Sequence, residues 1–235
     1  MTRLLEFRRS IGESSILIKT DLHQAAEAAF QNILENRNQL QEYIRNSPEF
    51  PLSLDPIPPG AATPEVVIRM SQAAELAGVG PMAAVAGALA DLAVEEMLRC
   101  GAKVAVVENG GEVSIRGDAK LDIAVYSGKS QLSRRLGFRV LPEDLPLGLA
   151  TSSGTVGHAL SFGLADSATV FADNAALADA AATAVCNRVN AKDVGESVKM
   201  GLNTAHSIVG VKGSMIIRGD HVGTVGWLPK LIRIN

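Results

Sequence analysis

Between residues 22 and 45 the apolar positions Ala25, Ala29, Ile33, Leu40 and Ile44 recur at helical spacing, with Glu, Gln, Asn and Arg on the opposite side. This pattern predicts an amphipathic surface helix over Leu22–Arg45, with Asp21 as its N-cap. The preceding segments Arg3–Arg9 and Ser14–Thr20 have strand character, joined at Ile11-Gly12-Glu13. Six prolines in residues 46–64 mark a loop or strap. A short apolar run, Val66–Met70, then leads to Gly78-Val79-Gly80-Pro81. That tetrapeptide opens a second helix, which reaches about Cys100 and is closed by Gly101.

From Lys103 the period of the pattern drops from about four to two. AKVAVVENGGEVSIRGD predicts a hairpin turning at Asn109-Gly110-Gly111. Short strands follow at Leu121–Tyr126, Gly137–Val140, Gly148–Thr151 and Ala168–Ala172. A small-residue helix begins near Asn174, and the tail from Ser207 is strand-rich, with a turn at Arg218-Gly219-Asp220. The expectation is an α+β fold, an antiparallel sheet backed by helices, forming one domain over 1–235. Its parts are an N-terminal hairpin plus helix (1–50), a proline-rich strap (48–64) and a core (65–235).

Composition narrows the function classes. Apolar residues make up 47% and aromatic residues 4%, so the core must be built from Ala, Val, Leu and Ile. A net charge of −3 gives no electrostatic case for nucleic acid or an anionic membrane. Two cysteines, Cys100 and Cys186, are too few for a disulfide framework, and each follows a helical apolar run suited to a buried thiol. The charged N-terminus shows no signal peptide and no apolar stretch is long enough to span a bilayer, so a soluble, cytoplasmic protein is expected.

Four constellations carry candidate chemistry. Asp179 and Thr183 stand four residues apart on one helix face, with Cys186 three further on. A carboxylate, a hydroxyl and a carbonyl suit a hard cation such as Mg²⁺; alternatively Asp179 is a first-turn residue favoured by the helix dipole. Asn109-Gly110-Gly111-Glu112 is either a plain type I′ turn, which wants Asn-Gly, or, since the second glycine exceeds what such a turn requires, a place where a ligand approaches the backbone. The run Thr151-Ser152-Ser153-Gly154, with His158 beyond it, offers hydroxyls and amides to a phosphate, or is simply a polar loop. Gly78-Val79-Gly80-Pro81 at a helix N-terminus attracts anions weakly, but matches no nucleotide-binding fingerprint. The tetrapeptide ALAD occurs twice, at Ala88–Asp91 and Ala176–Asp179, which fits two equivalent helices packed side by side.

Taken together and in chain order, these segments resemble the ApbE family of flavin transferases, which move FMN from FAD to a Ser/Thr of an acceptor protein using Mg²⁺. The segments AAVAG with Asp91, VVENGGE, ATSSG and ADAAAT carry the likeness, over roughly residues 65–230. The chain is most similar to a shorter ApbE-related branch, protein family 0280. The resemblance implies an ApbE-like variant of the tunnelling fold. It also implies a metal site of Asp179, Thr183 and the Ala83 carbonyl. Flavin-facing segments follow from it at Asn109, Gly110, Gly111, Glu112, Thr151, Ser152, Ser153 and Gly154, with His158 as a base. Ala86 stands where the family has a lysine, and the family's H-x-x-D-P-x-T-G segment is absent. The implied cofactors are Mg²⁺ and FAD or FMN. The implied partners are a phosphate-containing small molecule, an acceptor or assembly protein, and a second copy as a homodimer. The branch's association with sulfide assimilation implies an alternative, a non-catalytic sulfur-carrying accessory using Cys100 or Cys186.

Overall fold

The computed structural model describes residues 4–118, 120–127, 133, 135–154 and 162–234. Strands β1 (Leu5–Ile11) and β2 (Ser14–Thr20) form a hairpin. It is followed by α1 (His23–Asn46), α2 (Glu65–Ala77), a 3-10 turn (Pro81–Ala84) and α3 (Val85–Arg99). A second hairpin follows, β3 (Val104–Asn109) and β4 (Glu112–Gly117). Strands β5 (Leu121–Ala124) and β6 (Leu136–Val140) lead to β7 (Leu147–Ser152) and β8 (Ser167–Ala172). Helices α4 (Ala175–Arg188) and α5 (Val194–Ser207) precede β9 (Val211–Arg218), β10 (His221–Gly226) and β11 (Lys230–Arg233).

The main sheet has the order β1-β2-β3-β4-β7-β8-β9-β10, with every neighbour antiparallel. Each half of it is therefore hairpin, helices, hairpin, and the two halves join where β4 pairs with β7. A small sheet, β11-β6-β5, is separate. Both faces of the main sheet are covered, and strict alternation sorts the side chains. Ala105 and Val107 pack with α1 and α3, while Val104 and Val106 join Phe138 and Val140 of the small sheet. Between the sheets Phe138 meets Phe171 edge-on at 4.8 Å. The helical face is alanine-rich, with Ala88, Ala150, Ala168, Ala178 and Ala181 all buried, and also takes Phe30 and Phe50. The expected α+β fold, an antiparallel sheet backed by helices, is the one observed.

Several local expectations need correction. Asp21 does not cap α1; its Oδ1 accepts from the amides of Lys103 and Val104, at 3.0 and 3.1 Å, and ties β3 to the first hairpin. Val66–Met70 belongs to a full helix, α2, whose buried Val66, Val67, Met70, Ala73 and Ala74 have helical spacing. Gly78-Val79-Gly80-Pro81 is a connector rather than an anion site. Gly78, at φ +67°, ends α2, and a methyl on Gly80 would overlap the Ser53 carbonyl of the proline strap. Helix α5 lies in a segment for which no element is predicted above. Its buried Val198 and Ala205, with the half-buried Val194 and Leu202, recur at helical spacing, so its apolar stripe was present in the sequence. Its start is legible in Asp193-x-x-Glu196, where the Asp193 side chain accepts from the Glu196 amide at 2.7 Å. Among the described residues no single helix is long and apolar enough to cross a membrane.

Candidate functional site

The two ALAD helices do pack together, and each aspartate reaches the N-terminus of the other helix. Asp91 of α3 accepts from Ala175 N at 3.0 Å and Ala176 N at 2.9 Å, the first amides of α4, and from Ser114 Oγ of β4 at 2.7 Å. Asp179 of α4 accepts from Gly87 N at 3.0 Å and also from the Ala86 amide, in the first turn of α3. Unpaired amides and the positive end of the dipole make each helix start a natural seat for a carboxylate. The approach is this close because residue 87 is glycine; a Cβ there would overlap the Ala175 carbonyl.

The surroundings of the two aspartates differ. Asp91 is almost wholly buried, with both oxygens occupied. Burial pushes its carboxyl up, and Ser114, the two α4 amides and Arg116 offset this. Asp179 is half-buried and faces another carboxylate, Glu112, at the start of β4. Burial, then the Glu112 charge, hold Asp179 well above the usual carboxylate range, against the Gly87 and Ala86 amides. Burial pushes Glu112 up to about 7; its own amide works against this and Glu108 adds to it. Asn109, paired with Glu112 across the hairpin, donates from Nδ2 to the Ala86 carbonyl at 3.1 Å. One corner thus joins the end of the β3–β4 hairpin, the start of α3 and the first half of α4.

The predicted metal residues sit on elements that meet at this corner. Thr183 lies one turn beyond Asp179, half-buried, and Ala83 lies in the 3-10 turn before α3, which packs on α4. Among the described residues no three His, Cys, Asp or Glu side chains gather as metal ligands. A cation here would therefore rest on carboxylate, hydroxyl, carbonyl and water or phosphate oxygens. That donor set fits Mg²⁺, which takes one or two carboxylates and keeps its other positions for water or phosphate.

The predicted flavin-facing residues divide between the two faces of the sheet. Gly110, Gly111 and Thr151 line a cavity of about 370 Å³ between the main sheet and residues 121–126. Asn109, Glu112 and Ser152 point to the helical face, and the buried Ser152 hydroxyl has no hydrogen-bond partner among the described residues. Gly154 is a packing residue: its amide donates to Ala165 O at 3.0 Å, and a methyl on it would overlap Gly163, itself pressed on the Cys186 carbonyl. Ser153 is half-buried beside it. His158 lies outside the described residues. The two-residue turn is Gly110-Gly111, not Asn109-Gly110, since Asn109 and Glu112 are already paired. Both glycines have positive φ, +78° and +138°, so the second one is required by the backbone. Sequence reasoning missed Glu112 as the neighbour of Asp179, and missed Glu108, Lys19 and Thr169 on the cavity side. Counting strand alternation from Ala105 and Val107 places Asn109 on the helical face, and Glu112 with it across the pair.

This architecture is that of the ApbE flavin transferases. The fold matches the Pseudomonas stutzeri flavinyl transferase ApbE, apo form, with a TM-score of 0.61 at 14% identity, covering 95% of this chain and 94% of that one. It matches the ApbE protein of Thermotoga maritima with a TM-score of 0.60 at 15% identity, covering 93% and 97%. In sequence, the family model described as AbpE bacteria matches residues 2–204. The UPF0280 protein of Methanococcoides burtonii is 40% identical over 224 residues, covering 95% of this chain and 93% of its own. That of Methanocaldococcus jannaschii is 40% identical over 227 residues, covering 96% and 92%. The chain belongs to this UPF0280 family of ApbE-like proteins.

Proposed function

We propose that the protein binds a flavin nucleotide, or a similar phosphate-containing small molecule, together with Mg²⁺, as a cytoplasmic relative of the flavin transferases. The observation that carries this is the Asp179–Glu112 pair. Two half-buried carboxyls repel one another beside the Gly110-Gly111 turn, and the other side of that turn lines the cavity. A cavity of about 370 Å³ is within the usual range for small-molecule sites, roughly 300–1,000 Å³. Asp179, with Thr183, the Ala83 carbonyl and Glu112 nearby, would hold the cation. Bound there, Mg²⁺ would neutralise the pair and polarise a phosphoryl group. The chain's own residues seat the ring in the cavity, keep the hairpin against α3 through Asn109, and orient Asp179 through the Gly87 amide. His158 is proposed as the base if transfer to an acceptor hydroxyl occurs, and a second copy as the partner in a homodimer.

The alternative, a sulfur-carrying accessory, rests on Cys100 alone. Cys186 is buried, whereas Cys100 is exposed beyond the end of α3. That reading gives the carboxylate pair no role, so the first is preferred. Calorimetric titration with FAD, FMN and ADP, with and without Mg²⁺, tests it. Heat that depends on Mg²⁺ in the native protein and is lost in Asp179→Ala is expected. An unchanged isotherm for the variant overturns the cation site.

A further inference from the structure

The cavity holds one charge that nothing among the described residues answers. Its polar side chains are Lys19, Glu108, Asp122, the hydroxyls of Thr151 and Thr169, and Tyr126, which has a partner of its own. Asp122 is held by Arg139 through two bonds of 2.7 Å, and Thr151 and Thr169 bond each other at 2.9 Å. Lys19 pairs with Glu6 at 3.2 Å, which leaves two of its three N–H groups available. Glu108 makes no hydrogen bond or ion pair among the described residues. It is half-buried, and strand alternation puts it on the cavity face with Val104 and Val106.

Its setting is a slot rather than a bowl. Leu17 and Val113 flank Glu108 on the neighbouring strands, and residues 121–126 form the opposite wall. Apolar walls above and below favour a flat ring, and the carboxylate demands an N–H donor at its edge. Lys19 faces Val106 across the β2–β3 pair, diagonal to Glu108, and lines the same cavity. An acceptor and a donor side by side complement a lactam or imide edge, in which N–H and C=O are adjacent.

We infer that Glu108 is the specificity-determining residue of the cavity, accepting the N–H of a planar heterocycle whose neighbouring carbonyl is met by Lys19. This rests on the small-molecule reading above and narrows it to rings with a lactam or imide edge. The isoalloxazine ring of a flavin has one; the adenine ring of ADP does not. Loss of a hydrogen bond to a charged acceptor weakens binding roughly 10- to 100-fold.

The test is a fluorescence titration of riboflavin, N3-methylriboflavin and ADP against the native protein, Glu108→Ala and Glu108→Gln. Riboflavin should bind the native protein at least tenfold more tightly than its N3-methyl analogue. Glu108→Ala should erase that preference. Glu108→Gln keeps an acceptor in the same shape and should fall between, and it serves alone if the alanine variant does not fold by circular dichroism. Equal binding of the two flavins by the native protein, or an undiminished preference in the variants, overturns the Glu108 assignment and leaves the small-molecule reading intact. No binding of riboflavin or ADP by the native protein overturns both.

Discussion

The two halves of the main sheet are built alike, and each lends one ALAD aspartate to the other's helix. The first half's Asp91 is consumed by structure: three hydrogen bonds from Ser114, Ala175 and Ala176 saturate it inside the core. The second half's Asp179 makes the equivalent bond to Gly87, but what remains of it faces Glu112. Identical tetrapeptides in equivalent contacts thus end with opposite electrostatics. One carboxylate is surrounded by donors, the other by a donor on one side and a like charge on the other. A carboxylate saturated by amides fixes two helices, whereas one left beside a second carboxylate stores repulsion that a bound cation would relieve.

Alanine substitution is the most direct way to break this comparison. Asp91→Ala strands two amides and a hydroxyl in the core and opens a cavity, so a loss of about 3–5 kcal/mol is expected in urea denaturation. Asp179→Ala gives up the Gly87 and Ala86 bonds but removes the repulsion with Glu112, so with a chelator present at pH 7 its stability should stay within about 1 kcal/mol of native. Added Mg²⁺ should then stabilise the native protein and leave Asp179→Ala unmoved. Equal costs at the two positions would show that both aspartates are merely caps.

The pH dependence sharpens the same contrast at a smaller magnitude. Glu112 is raised from 4.5 to about 7 by burial, so the folded state holds a proton that the unfolded state has already released in that window. Its stabilising contribution is complete below pH 4.5 and is lost as pH rises through 7, roughly 2–3 kcal/mol over the range. Asp179 is shifted in the same direction and adds with the same sign. The carboxylates lowered by ion pairs, Glu6 and Asp122, act on the acid side of the ordinary range and leave this window clear. Thermal melts from pH 5 to 8 in chelator should show Tm falling, with the slope reduced by Glu112→Gln and by Mg²⁺, and the remainder carried by the buried Asp179 and Asp91. A Tm that climbs over that range contradicts a repelling pair.

How much of this could be read from the chain depends on which interaction sets each feature. Helix α1 and the hairpins were legible because burial alone imposes their periods on large apolar residues. Helix α5 was legible by the same rule, since Val194, Val198, Leu202 and Ala205 share one face behind the Asp193 cap, although no element is predicted for it above. Asp179 was singled out by its motif, through the resemblance rather than by spacing alone. Its partner was not, since Glu112 and Asp179 are 67 positions apart and only the antiparallel register of β3 with β4 brings the hairpin end to α4. The same register hid the cavity, which alternation alone assigns to Glu108 rather than to Asn109 or Glu112. Thr151-Ser152-Ser153-Gly154 read as one binding loop, yet only Thr151 lines the cavity, because successive strand residues face opposite sides.

The turns give the finest version of the comparison. Hairpins β1–β2 and β9–β10 close through Gly12-Glu13 and Gly219-Asp220, with one positive-φ residue each, at +59° in both. The central hairpin closes through Gly110-Gly111, with two, and Gly111 lies at +138°, where an L-residue is strained. Nothing stands within 4 Å of a methyl placed on Gly111, so an alanine there is penalised by the backbone and not by a clash. Gly111→Ala should therefore cost about 1–2 kcal/mol in denaturation, through strain alone. If the turn serves only as a turn, ligand titration at a temperature where the variant is folded will match the native protein. If its unusual shape sets the cavity mouth beside Asp179 and Glu112, the variant will bind its ligand more weakly by several-fold, while the β1–β2 and β9–β10 hairpins, altered by Gly12→Ala or Gly219→Ala, lose stability without losing affinity.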